Sequence, residues 1–280
     1  MDPRSLIAAV IGLVLVAFGG FYFALISRSG DAVLPPPKTA TPFGAAVPAV
    51  APPLPPPPAP PPMATPSSIE AEIALSELAE LQALLKKNFS DDYNELITLV
   101  TRRRNEGASD RAFDQELAER IQKIMGGRLK YGVWASMPAI DKLAANEARL
   151  FHALGTEAAR FCRKMLGKDD TPADGPPPES VRQMMQLGTL YRFQAIVEGM
   201  TNTKPIDPLT AEEKRAFEGS LAREGLNLRD VNTGAYLNTG DTDPGKPCLT
   251  LETLHLAIAR LAEGTRRKVY AGMFFIGRDK

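Results

Sequence analysis

The sequence predicts an all-α protein in three parts: one N-terminal transmembrane helix, a proline-rich stalk that is disordered or in polyproline II conformation, and a domain of seven or eight helices. Three observations lead to this prediction. An apolar run without ionisable groups lies near the N-terminus, most prolines follow it directly, and the rest of the chain repeats apolar residues at helical spacing. We therefore expect a tail at residues 1–4, a membrane span at 5–27, a stalk at 28–66 and an all-α soluble domain at 67–280.

The predicted span lies between Arg4 and Arg28 and contains no charged side chain. About 20 apolar residues cross a hydrocarbon core, whereas the apolar core of a cleaved signal peptide has only about 7 to 15. The span also carries small residues at a four-residue spacing that lets two helix backbones approach closely. These transmembrane packing candidates are Ala8, Gly12, Gly20 and Ala24. We predict an uncleaved anchor, with a signal cleaved near Gly19 as the alternative. A homodimer through the small residues is one interpretation, but small residues without a packing role are the favoured one.

The charges beside the span do not set its orientation, because Arg4 on one side is balanced by Arg28 and Lys38 on the other. A short tail, one anchor and a long polar domain are together typical of an exported domain. We expect an integral, single-pass protein of the inner (cytoplasmic) membrane with its C-terminal domain in the periplasm. A helical adaptor that faces the cytoplasm is the alternative.

The stalk holds 15 of the 25 prolines within residues 35–66. Proline fixes φ and removes an amide donor, so this segment is expected to form no folded core and to extend up to about 100 Å as polyproline II. A spacer is favoured over a docking site for a proline-binding module. The plan of anchor, stalk and distal domain resembles in outline the TonB-type energy-transducing proteins and the scaffold subunits of envelope secretion machines. This resemblance covers the first 66 residues and implies no functional residue.

Apolar periodicity and capping residues predict the helices of the domain. Ser67 and Glu70 form one capping-box pattern and Thr210 and Glu213 another, and Gly155 is the predicted site of a kink. The expected helices run over residues 67–87, 92–105, 110–125, 138–166, 179–198, 211–224, 251–263 and 269–276.

Two cysteines, Cys162 and Cys248, are a disulfide candidate, because an even number of cysteines in an oxidising compartment usually pairs. Two buried thiols in a cytoplasmic domain are the alternative. The two histidines, His152 and His255, lie in predicted amphipathic helices and are interpreted as partly buried polar residues. The loop at 230–241 matches a calcium-binding loop only in part, because Ala235 replaces the glycine of the sharp turn.

Neither a catalytic motif nor a metal-binding spacing is recognisable, so we expect no catalytic, cofactor-binding or metal site. Equal numbers of acidic and basic residues, 33 each, argue against nucleic acid as a partner. The basic-patch candidate Arg102, Arg103 and Arg104 could bind anionic lipid or a wall polymer, or serve only the C-terminal end of its helix. The favoured function is a non-enzymatic envelope protein that binds a protein partner. A membrane-tethered cell-wall hydrolase using carboxylates such as Glu147 or Glu157 is the alternative.

Overall fold

The structure, a computed structural model, describes residues 63–106, 110–166, 177–202, 206–233 and 243–275. The predicted anchor with its packing candidates Ala8, Gly12, Gly20 and Ala24, and most of the stalk, lie outside these residues. All regular structure within the described ranges is helical, which confirms the all-α prediction for this part of the chain. None of the described helices has the length and apolarity that a membrane crossing requires.

Twelve helical segments form the described part of the chain, so the expected count of seven or eight is too low. The first six are α1 (Pro66–Ala74), α2 (Ala79–Asn88), α3 (Ser90–Asn105), α4 (Asp110–Gly126), α5 (Leu129–Gly132) and α6 (Met137–Thr156). The remaining six are α7 (Ala159–Met165), α8 (Glu179–Thr201), α9 (Ala211–Arg223), α10 (Leu228–Thr233), α11 (Lys246–Ala259) and α12 (Glu263–Phe275).

The first predicted helix is divided into α1 and α2 by a turn around Ser76. The Ser76 hydroxyl donates to the carbonyl of Ile73 (2.7 Å) and accepts from the amide of Leu78 (3.1 Å). A serine side chain that bonds nearby backbone groups competes with helix continuation, and this competition explains the break. The sequence prediction missed it because the apolar spacing continues across the turn.

The N-terminal cap of α1 is Thr65 rather than Ser67. Thr65 accepts from the amide of Ser68 (3.2 Å), and the Ser68 hydroxyl accepts from the amide of Thr65 (2.9 Å). The carboxylate of Glu70 therefore has another role, since it accepts from Lys86 at 2.9 Å. The second predicted capping box, Thr210 with Glu213, is confirmed at α9.

The long helix predicted over residues 138–166 is also two helices, because the chain turns at Glu157 and Ala158 instead of kinking at Gly155. Glycine is instead required at position 155 because the neighbouring helix leaves no room for a side chain. A Cβ atom built there would lie 2.5 Å from Leu249 of α11, and one built on Gly245 would lie 2.1 Å from the carbonyl oxygen of Gly155. These two glycines allow α6 and the start of α11 to approach closely.

The C-terminal helices begin earlier than predicted: α11 at Lys246 rather than Leu251, and α12 at Glu263 rather than Val269. At the centre of the described fold, α6 packs against α8 on one side and α11 on the other. The apolar side chains that the sequence places on the inner face of α6 are buried there: Ile140, Leu143, Leu150, Phe151 and Leu154. α12 packs against both α6 and α11, so these four helices enclose the residues considered next.

Candidate functional site

Three charged or titratable side chains meet in the core, one from each central helix: Glu147 from α6, Arg192 from α8 and His255 from α11. We call these three residues the core cluster. Their side chains are 2%, 4% and 1% exposed, respectively, so the cluster is closed to solvent. Ionisable side chains are rarely buried to this degree unless they are paired, and the cluster is therefore the most unusual chemical feature of the described residues.

The Arg192 guanidinium donates a hydrogen bond to Oε1 of Glu147. The other carboxylate oxygen, Oε2, lies 3.7 Å from Nε2 of His255, which is beyond hydrogen-bond distance. Among the described atoms, neither imidazole nitrogen has a hydrogen-bond partner. The cluster thus consists of one ion pair, joined through Oε1 of Glu147, and an imidazole beside it whose two nitrogen atoms have no hydrogen-bond partner among the described atoms.

Aromatic rings surround the imidazole. The rings of Tyr270 and Phe274 from α12 stack on His255 with centroid distances of 5.8 and 5.9 Å, and the Phe151 ring lies 5.6 Å away. The Tyr270 hydroxyl donates to the backbone carbonyl of His255 at 3.2 Å. These rings account for the low polarity around the cluster.

Burial sets the protonation of the cluster. Burial, and after it the positive charge of Arg192, lowers the pKa of His255 to about 3. Burial raises the pKa of Glu147, while Arg192 acts against that rise. Burial also raises the pKa of Tyr270 above its ordinary value. At neutral pH the imidazole and the phenol are therefore neutral.

Cys162 and Cys248 are joined by a disulfide, with sulfur atoms 2.15 Å apart and Cα atoms 5.9 Å apart. Both residues are fully buried. The bond links α7 to the first turn of α11, and it closes a loop between residues 86 positions apart in the chain.

The basic-patch candidates lie near the end of α3, and each has a carboxylate partner. Arg102 lies 3.5 Å from Glu116 of α4, and Nε of Arg103 donates to the same carboxylate at 2.7 Å. Arg104 pairs with Glu72 of α1. The positive charge that would attract an anionic lipid or polymer is thus largely balanced within the domain.

A solvent-open groove of about 600 Å³ lies between α3 and α4. Its lining residues carry three carboxylates and three cationic groups, together with one apolar residue, Leu99. They are Asn94, Glu95, Thr98, Leu99, Arg102, Glu116, Glu119, Arg120 and Lys123. Arg120 pairs with Glu95 across the groove.

The other residues singled out from the sequence lie apart from one another. His152 is exposed, and its Nδ1 lies 3.1 Å from the carboxylate oxygens of Glu252. Glu157 is exposed at the turn between α6 and α7, and residues 234–241 of the calcium-loop candidate lie outside the described residues. Within the described part of the chain, groups of three or more residues able to hold a metal ion are absent.

Sequence reasoning did not recognise the core cluster, although a signal was present. Glu147 follows Leu143 by four residues and precedes Leu150 by three, so it shares their buried face. In α11, His255 follows Leu251 by four residues and precedes Ile258 by three, so it also shares a buried face. Comparisons with protein-family models, with curated proteins and with solved structures give no match.

Proposed function

We propose that the protein is a single-pass protein of the inner membrane whose proline-rich stalk presents the helical domain to a protein partner in the periplasm. The disulfide between Cys162 and Cys248 is the observation that carries this proposal. Disulfides persist in oxidising compartments and are rare in the cytosol. The apolar run at 5–27 and the prolines at 35–66 supply the anchor and the spacer that such a protein needs.

Binding is favoured over catalysis by the state of the carboxylates. Glu147, the acid named for the hydrolase alternative, is enclosed in the core and bonded to Arg192, so a wall polymer has no access to it. Glu157 lies exposed at a helix end. A glycosidase needs two carboxyl groups facing one bond in a cleft, and neither residue is in such an arrangement.

The α3–α4 groove is the surface that we propose for the partner. It is open to solvent, and its lining combines charges of both signs with the apolar side chain of Leu99. A surface of this kind suits a polar protein segment that offers charges of both signs. Each charge of the partner can then pair with an opposite charge of the groove, in place of that residue's ion-pair partner within the groove. An anionic polymer or membrane would meet as many carboxylates as cations.

A photo-crosslinking amino acid in place of Thr98, which lines the groove, tests this proposal in cells making the full-length chain. The matched control places the same amino acid at Lys214, an exposed position on α9, which packs on α11. We expect a protein adduct of defined mass from position 98 and none from position 214. Absence of an adduct at position 98, or equal adducts at both positions, would contradict the assignment of the groove.

A further inference from the structure

We propose that the core cluster of Glu147, Arg192 and His255 is an acid-sensitive lock, which holds α11 against α6 and α8 at neutral pH and releases it when His255 takes up a proton. This inference concerns the described helices and does not depend on the membrane anchor or on the partner. It rests first on geometry, because Glu147 of α6 lies against both Arg192 of α8 and His255 of α11 in a space closed to solvent.

The charge balance of the cluster explains why a proton would open it. With a neutral imidazole, the carboxylate of Glu147 and the guanidinium of Arg192 cancel, and the enclosed net charge is zero. A proton on His255 adds an uncompensated positive charge to this space. Burying an uncompensated charge is strongly unfavourable, so the imidazolium is more stable in an open form that water can reach.

The groups around His255 offer the imidazolium no other counter-charge. From α6 it faces Glu147, which is already bonded to Arg192 of α8, and from α12 it faces the neutral phenol of Tyr270. The charges beyond that phenol, Asp141 and Arg266, are paired with each other at 3.0 Å.

Two further helices, α7 and α9, pack against α11. Ser220 of α9 donates to the Ala257 carbonyl at 2.7 Å, and Cys162 of α7 is bonded to Cys248. These two contacts are uncharged, and the anionic group that the structure places beside the imidazole is the carboxylate of Glu147, 3.7 Å away.

The disulfide decides which part of the fold is released. Cys248 keeps the first turn of α11 attached to α7, whereas His255 lies seven residues further along the helix. Tyr270 and Phe274 of α12 stack on the imidazole and would lose that contact when it moves. We therefore expect residues 251–275 to open together while the start of α11 stays in place.

The sign of the pH dependence follows from linkage. The closed form holds the pKa of His255 at about 3, against an ordinary value of 6.5, so the open form binds more protons and gains population as the pH falls below 6.5. Between pH 7 and pH 5 this histidine alone raises the opening constant about 25-fold. Glu147 acts in the opposite direction because its pKa is raised in the closed form, so a His255 variant is needed to isolate the imidazole.

Hydrogen exchange measured by mass spectrometry on the full-length chain at pH 7 and pH 5, corrected for intrinsic exchange rates, tests the lock. The variants are His255→Gln, which cannot take up the proton, and His152→Gln, which removes the exposed histidine instead. From pH 7 to pH 5 we expect the opening of residues 251–275 to increase by about 25-fold in the wild type and in His152→Gln, less the opposing effect of Glu147. His255→Gln should lose this increase. An equal increase in all three proteins would overturn the proposal.

A second measurement decides the matter if His255→Gln does not fold. The chain has only two histidines, so the full-length protein labelled at histidine gives two imidazole signals by NMR, and His152→Gln assigns them. We expect the signal of His255 to remain that of a neutral imidazole at pH 5 in the closed form, with a second, protonated signal growing as residues 251–275 open. Protonation of His255 near pH 6.5 without any opening would overturn the proposal.

Discussion

Replacement of Arg192 by methionine tests the energetic role of the core cluster. Methionine keeps an unbranched apolar chain in the space between α6 and α8 but leaves the Glu147 carboxylate buried without its guanidinium partner. Removing one member of a buried ion pair typically lowers the free energy of unfolding by about 3 to 5 kcal/mol. Typical domains have only about 5 to 15 kcal/mol in total, so Arg192→Met should leave the domain near the limit of stability.

Urea denaturation of the full-length chain, followed by helical circular dichroism, gives the measurement. The matched control is Arg104→Met, which breaks the exposed ion pair with Glu72 and should cost less than about 1 kcal/mol. The double variant Glu147→Gln with Arg192→Met removes both charges and should recover a large part of the loss. If Arg192→Met costs no more than Arg104→Met, or if the double variant is no more stable than Arg192→Met, the reasoning is wrong.

Three further predictions concern stability. Cys162→Ser removes the disulfide between residues 86 positions apart and should lower the free energy of unfolding by up to about 4 to 5 kcal/mol. The wild-type protein with its disulfide reduced is the control, and its stability should match that of Cys162→Ser. Gly199→Ala places a Cβ 1.8 Å from the backbone oxygen of Tyr131 and should lower the free energy of unfolding by about 1 to 3 kcal/mol or more. Gly219 is exposed in α9, and a Cβ there has nothing within 4 Å, so Gly219→Ala should raise the free energy of unfolding by about 0.5 to 1 kcal/mol. Equal effects of the two substitutions in thermal denaturation would refute this contrast. Thr210→Ala removes the cap of α9 and should cost about 1 kcal/mol, and an unchanged melting temperature would count against the capping box.

The class of the fold and most helices could be predicted from the sequence because they depend on local patterns. Apolar residues at three- and four-residue spacing mark the inner face of α6, and Thr210 with Glu213 marks the start of α9. The helix breaks were missed because they depend on single hydrogen bonds, such as those of the Ser76 hydroxyl, that leave the apolar spacing intact.

The core cluster could be predicted only in part. The spacing of Glu147 and His255 among apolar residues places both on buried faces, and this signal was available. Their meeting with Arg192 could not be predicted, because residues 45 positions apart in the chain come together only through the packing of α6 on α8. The same holds for the α3–α4 groove, whose charges look like an ordinary solvated surface when each helix is considered alone.

The central claim, that the domain folds outside the cytoplasm on a membrane anchor, is tested most directly by thiol mass-tagging of the full-length chain in native membranes. The protein is denatured and alkylated with and without prior reduction, and Cys162→Ser shows the mass of a single tagged thiol. We predict that Cys162 and Cys248 are tagged only after reduction, as expected for a disulfide formed in an oxidising compartment. Tagging of both cysteines without reductant would contradict the account and would favour a domain that faces the cytoplasm.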